Sequence, residues 1–186
     1  MKTIKVLAFS GSFRSGSYNR KLLKIAAGYA KASGADVEVM DLKELSMPVY
    51  DGDIQAKGLP ASVLEFKAKI EASDLLIIAS PEYNYSVPGG LKNAIDWASR
   101  GENSFKGKHA VVCGASNGHY GTARMQPHLR QVLECVNVFV LPQPQVFIPY
   151  CEAAFNPDDS LKDAKAAGAL KNLIELTIKK AAAVES

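Results

Sequence analysis

Gly11-Ser12-Phe13-Arg14-Ser15-Gly16-Ser17-Tyr18-Asn19 is the stretch on which the reading of this chain turns. It follows an apolar run, Ile4-Lys5-Val6-Leu7-Ala8-Phe9, with the character of a buried strand. It precedes an amphipathic segment, residues 19–32, with helical spacing. A strand that opens through a Gly/Ser loop into a helix aims unpaired N–H groups and the positive end of the helix dipole at one point, which favours an anion there. Ser10, Ser12 and Ser17 add hydroxyl donors, Asn19 an amide, and Arg14 a charge with a fork of donors. This is the chemistry of a phosphate cradle and points to a phosphorylated cofactor. The competing reading is an ordinary βα turn with solvated polar side chains.

The loop is neither of the two common phosphate fingerprints. A dinucleotide turn needs G-x-G-x-x-G, and Phe13 stands where the second glycine belongs. A P-loop alignment from Gly11 to Gly16 puts Ser17 at the lysine position, so the charge that reaches terminal phosphates is missing. Serine, arginine and asparagine donors without that lysine suit a monophosphate ester better than a nucleoside triphosphate.

Strand-like apolar runs alternate with helical patterns along the whole chain. Strands are expected near residues 4–10, 36–41, 74–80, 109–115 and 136–141, the last resuming at 146–148. Helices are expected near 19–33, 61–72, 91–99, 123–134 and 161–183, and the Pro/Asp/Gly-rich piece 47–60 reads as a surface loop. Such alternation means right-handed βαβ units, a parallel sheet and helices on both faces. Every parallel strand ends at the same edge. The loops after Ser10, Ser80 and Ala115 therefore converge, at the edge where open α/β sheets bind ligands. The second loop, residues 81–90, carries Tyr83 and Tyr85 between two prolines, a stiff wall for a planar ring, with Asn84 to reach its polar edge. The third, residues 116–121, adds Ser116, Gly118 and further donors.

With 186 residues, the chain is long enough for one domain with a real core, taken to span residues 1–186. A net charge of +3 from scattered Lys and Arg offers no stripe for nucleic acid. No run reaches membrane length, and no signal-peptide pattern precedes the first strand. Cys113, Cys135 and Cys151 are odd in number and far apart, which argues against a disulfide framework or a zinc site and fits a reducing cytoplasm. Cys113, in an apolar run, reads as an inert core thiol.

Two motifs make the chain recognisable. Gly11-Ser12-x-Arg14-x-x-Ser17-x-Asn19 is followed by Pro81-Glu82-Tyr83-Asn84 and Ser86-x-Pro88-Gly89-x-Leu91-Lys92-Asn93-x-x-Asp96-Trp97. This pattern resembles the NAD(P)H-dependent FMN reductase family, which includes quinone, chromate and azo-dye reductases, over nearly the whole chain to about residue 148. The resemblance implies a flavodoxin-like three-layer α/β sandwich whose five-stranded parallel sheet runs 2-1-3-4-5. It implies FMN, with Ser10, Ser12, Arg14, Ser17, Tyr18 and Asn19 at the phosphate, Pro81, Glu82, Tyr83 and Asn84 along the isoalloxazine, and Ser116 and Gly118 beside it. Tyr85 and His119 would face substrate, although nothing near His119 in the sequence is an evident partner. Lys92, Asn93, Asp96 and Trp97 would belong to a structural helix, with Trp97 in the core.

The implied reaction is hydride transfer from NADPH or NADH to FMN, then electron transfer to small-molecule acceptors in a ping-pong cycle. No catalytic side chain is required for the first half, and none is evident. A homodimer or homotetramer is expected too. The resemblance suggests it, and Leu91, Ala94, Ile95, Trp97 and Ala98 spread over more than one face of their helix. The chief alternative is a flavodoxin-type electron carrier, but such carriers are usually acidic and this chain has a sequence pI of about 8.7. A response-regulator receiver would need acidic residues where Ser10 stands. A phosphatase would need a Cys or Asp nucleophile in the phosphate loop.

Overall fold

The continuous apolar runs become the central strands of one sheet. The structure is a computed structural model and describes residues 2–184. Strand β1 is Lys5–Ser10, β2 Asp36–Met40, β3 Leu75–Ala79, β4 His109–Ala115, β5 Phe139–Val140 and β6 Val146–Ile148. All pair in parallel, in the order β2-β1-β3-β4-β5. The order is the expected one, with a sixth strand added. Both β5 and β6 pair with β4: Phe139 and Val140 lie beside His109 and Ala110, and Val146 to Ile148 beside Cys113 to Ala115. One strand position is thus filled in two pieces. Pro142 and Pro144 lie between them and have no N–H to give to the ladder.

Helices cover both faces, as a parallel sheet requires. Helix α1 is Tyr18–Ala32, α2 Gly52–Ala56, α3 Ala61–Glu71, α4 Gly89–Ala98, α5 Met125–Cys135, α6 Cys151–Ala154 and α7 Ala164–Val184. On one face Leu22, Ala26, Leu173 and Ile174 of α1 and α7 pack with Val6, Ala8, Ile77 and Val111. On the other, Phe66, Leu91, Ile95 and Leu129 of α3, α4 and α5 pack with Phe9, Ile78 and Val112. Helices α2 and α6 lie outside the expected elements. Each is about one turn long, too short to display a helical period. Among the described residues no helix is long and apolar enough to cross a membrane.

Helix α4 overturns one expectation. Its residues Leu91, Ala94, Ile95, Trp97 and Ala98 are all at most 1% exposed, so no second copy is needed to cover them. The loop before α2 does that work. Pro48 O accepts from Trp97 Nε1 and Asn93 Nδ2, each at 2.8 Å, and Tyr50 N donates to Asn93 Oδ1 at 2.7 Å. The Tyr50 ring stands edge-on to Trp97 with centroids 4.9 Å apart. At the far end of α4, buried Lys67 donates to the carbonyls of Ala98, Arg100 and Glu102 and so closes the helix C-terminus.

Gly114 sets how closely β4, β3 and the start of α5 approach. A Cβ there would collide with the Ser80 carbonyl oxygen and with Thr122 Oγ1. Gly114→Ala must therefore push backbone apart inside a close-packed region, at a cost of ~1–3 kcal/mol. A urea titration should show a lower midpoint with unchanged slope. An unchanged midpoint would show that this close approach is dispensable.

Candidate functional site

Register places the functional loops. Ser10 lies beside Ala79, and Ala79 beside Cys113, so β1 and β3 end at one level and β4 runs two residues further along the same edge. Gly11 N donates to Ala79 O at 3.0 Å and Ser80 N to Cys113 O at 3.0 Å, carrying the alignment into the loops. Between the loops lies a hollow of about 140 Å³. It is lined by Ser12, Arg14, Ser17, Tyr18 and Asn19 from the first loop, Pro81, Glu82 and Tyr83 from the second, and Ala115, Ser116, Asn117 and Cys151.

The first loop offers donors. Ser17 is the N-cap of α1, its hydroxyl accepting from Asn19 N at 3.2 Å, and the first turn of α1 holds no acidic residue. Ser12 is buried against the loop, and Ser12 N donates to Ser10 Oγ at 3.1 Å. Arg14 is exposed and forms no ion pair among the described residues. Asn19 borders the hollow, and its amide is engaged at both ends: Nδ2 donates to Ala115 O at 2.9 Å and Oδ1 accepts from Ala115 N at 2.8 Å. It ties the start of α1 to the end of β4.

The second loop is a tight reversal. Tyr83 N donates to Ser86 O at 3.1 Å and Ser86 N to Tyr83 O at 3.0 Å. The residues between, Asn84 and Tyr85, have φ of 49° and 65°. This is the mirror-image turn that glycine and asparagine favour. A tyrosine in that backbone region is costly and holds its ring out, 62% exposed. Glu82 anchors the turn to α5. Helix α5 has no side-chain cap at Arg124, and Glu82 Oε2 accepts instead from Arg124 N at 3.0 Å and Met125 N at 2.9 Å. Ser86 Oγ lies 3.1 Å from His128 Nδ1 of the same helix.

The third loop leans on the segment after β6. Ser116 Oγ donates to Gly121 O, and Ser116 N to Ile148 O at 3.0 Å. Cys151 N donates to Ser116 O at 3.1 Å, Cys151 Sγ to Asn117 Oδ1 at 2.8 Å, and Asn117 Nδ2 to Glu152 Oε1 at 2.8 Å. Burial, with the Glu152 charge beside it, pushes the Cys151 thiol up and keeps it the neutral donor that this bond needs. Burial pushes the core thiol of Cys113 to about 12, consistent with an inert role. His119 has a partner after all: its Nδ1 lies 2.8 Å from the Tyr150 hydroxyl.

A second hollow, of about 420 Å³, adjoins the first and shares Glu82, Ser116 and Asn117 with it. Asn84, Tyr85, Gly118, Tyr120, Gly121 and Arg124 complete its wall. The expected residues thus divide between two hollows. Ser10 borders neither: it faces the groove between α1 and β2, and its hydroxyl shapes the phosphate loop. His119 borders neither as well, because it turns to Tyr150. Cys151, Asn117, Tyr120 and Arg124 were not singled out in the sequence. The signal for Cys151 was present, since β6 ends at the same edge and the residues after it must arrive there too.

The first hollow suits a phosphorylated planar cofactor. Its first-loop wall holds hydroxyl donors and a cation, and the first turn of α1 carries no acidic residue, as suits a phosphate. Its other walls are the Pro81–Tyr83 turn and Ser116–Asn117, which present a ring, backbone groups and amides to a flat molecule.

The family model of NADPH-dependent FMN reductases matches residues 4–153. An NAD(P)H-dependent FMN reductase of Pseudomonas aeruginosa is 48% identical over 164 residues, covering 88% of this chain and 87% of that protein. A quinone reductase of Escherichia coli is 41% identical over 145 residues, covering 76% of each. The structure of FerB, a flavoenzyme NAD(P)H:(acceptor) oxidoreductase from Paracoccus denitrificans, superposes with a TM-score of 0.85 at 36% identity, over 97% of this chain and 98% of that one. With matches of this extent added to the sheet order and the donor-rich edge, the chain belongs to the NADPH-dependent FMN reductases, enzymes that work with FMN and a nicotinamide donor.

Proposed function

We propose that this chain is a flavin-dependent NAD(P)H oxidoreductase that reduces quinones and, more broadly, chromate and azo compounds. The observation that carries the reading is the first-loop wall of the first hollow, where serine hydroxyls and the N-terminus of α1 meet a guanidinium that has no ion pair among the described residues. Arg14, the Ser12 and Ser17 hydroxyls and the first-turn N–H groups of α1 hold the FMN phosphate. Pro81, Glu82, Tyr83 and Asn84 line the ring, with Ser116 and Gly118 on the opposite side. Bound there, FMN supplies two-electron chemistry between a nicotinamide and an acceptor.

The protein's part is to bind, orient and exclude. Asn19 keeps the hollow's width through its clamp on Ala115. Glu82 fixes the loop along the ring by its grip on the start of α5, while its backbone lies along the wall. Tyr83 and Tyr85, 46% and 62% exposed, give flat apolar surface for successive planar substrates. One open hollow serves donor and acceptor in turn, which is the basis for a ping-pong cycle and a broad acceptor range. The three free thiols suit a reducing compartment such as the cytoplasm.

A homodimer or homotetramer remains part of the reading, on a different support. Phe13, Val49 and Leu64 are exposed around α4. Phe13 rests on Gly90, Val49 lies between the residues that cover Trp97, and Leu64 is on α3, which packs against α4. A second copy would cover them.

Two measurements check these points. The purified protein should be yellow and should bleach when NADPH is added without oxygen. Initial rates against NADPH at several quinone concentrations should then give parallel double-reciprocal lines. A colourless protein that does not take up FMN would sink the reading, and intersecting lines would show a separate acceptor pocket. Sedimentation at micromolar concentration should give a dimer or larger, whereas a monomer would contradict the proposed assembly.

A further inference from the structure

The second hollow contains a feature the reading above does not use. The Arg124 guanidinium lies between two aromatic rings, 4.1 Å from the centroid of Tyr85 and 4.1 Å from that of Tyr120. Such a sandwich fixes a planar cation and removes much of the freedom a long side chain otherwise loses on binding a ligand. It does so at the second hollow's wall, on side chains that are themselves exposed. Among the described residues Arg124 has no ion pair, and its side chain makes no hydrogen bond. The one carboxylate in the same hollow, Glu82, has its Oε2 on the backbone N–H groups of Arg124 and Met125 instead. Both contacts are with ring centres and neither uses a hydrogen bond, so the five guanidinium donors stay available.

Resting on the flavin-reductase reading, we propose that Arg124, held between Tyr85 and Tyr120, is an oxyanion receptor that recognises an anionic group of the molecule arriving at the second hollow. It is a specificity-determining residue, separate from Arg14, which serves the other hollow. Two sources share this chemistry: the phosphates of the nicotinamide donor, and the oxyanion of a charged acceptor. A guanidinium serves both because its planar fork matches two oxygens at once. The left-handed Tyr85 and the Glu82 cap on the backbone of Arg124 are the features that hold the sandwich in place.

The test uses the flavin-loaded protein and separates the two half-reactions without oxygen. On the donor side, bleaching by NADPH and NADH is compared with bleaching by an N-benzyl dihydronicotinamide, which has no phosphate. On the acceptor side, reoxidation by a quinone sulfonate is compared with reoxidation by neutral benzoquinone. Arg124→Ala should weaken only the charged member of one pair, by about ten- to a hundredfold in apparent affinity. The pair affected identifies the source. Arg124→Lys should recover part of the loss, since it restores the charge but not the fork. Calorimetric titration of the oxidised protein with NADP⁺ and with the sulfonate should show the same selective loss without any turnover. FMN affinity should stay unchanged.

Equal losses for charged and neutral partners, no loss at all, or a changed sedimentation coefficient in Arg124→Ala would each overturn the receptor. The last outcome would assign Arg124 to a contact between copies. If the wild-type protein is not bleached by any nicotinamide, the reductase reading itself fails, a result distinct from bleaching that is indifferent to Arg124.

Discussion

Two hydrogen bonds between one side chain and the backbone of one distant residue hold the functional edge together. Asn19 presents its amide to the N–H and the carbonyl of Ala115, as a neighbouring strand would, across 96 positions of sequence. Both groups are buried, so leaving either unpaired would cost about 1–3 kcal/mol. The pairing fixes the start of α1, and with it the phosphate loop, against the end of β4, from which the third loop departs. The sheet brings these ends to one edge, and Asn19 sets the gap between them. It stands next to the Ser17 cap, so the residue that builds the donor-rich helix end also fastens it to the core.

Charge at this edge follows from how the carboxylates are used. Glu82 is turned to the N-terminus of α5, Glu152 accepts from Asn117, and Asp41 pairs with Arg20 at 2.7 Å. Each has a partner of its own, although Glu82 still lines both hollows. Arg14 and Arg124, at the first and second hollow respectively, form no ion pair among the described residues. Two cations without ion-pair partners among the described residues, each beside a helix N-terminus, favour anionic ligands at this edge. The overall charge of +3 is too small to explain such a preference. It comes from placement.

Much of this was legible in the sequence, because it is written in local patterns. The apolar runs of β1, β3 and β4 have no polar alternation, which is what burial on both faces produces. The meeting of three loops then follows from parallel topology, while the strand order followed from the family resemblance. The split of the last strand position was partly visible, since Pro142 and Pro144 interrupt two apolar runs. Other features depend on tertiary partners that no local pattern announces. Whether α4 hides its apolar faces depended on Pro48 and Tyr50, more than forty positions away. Asn19 and Glu82 were readable as polar residues at the site, but a side chain that bonds the distant backbone looks the same in sequence as one that bonds a ligand. Arg124 gave no signal at all, because its environment comes from rings in two separate loops.

The central claim is that the Arg14 end of the first hollow grips a phosphate as a dianion. It is tested most directly by ³¹P NMR of the flavin-loaded protein. A free phosphate monoester takes up its second proton near pH 6, at about the middle of the accessible range. Helix N–H groups, serine hydroxyls and an arginine all favour the dianion and push that pKa down. The account predicts one ³¹P resonance from bound FMN that does not move between about pH 5 and pH 8, the range over which free FMN titrates. A bound resonance that shifts through this range as free FMN does would mean a solvated phosphate, and would contradict the assignment of the loop.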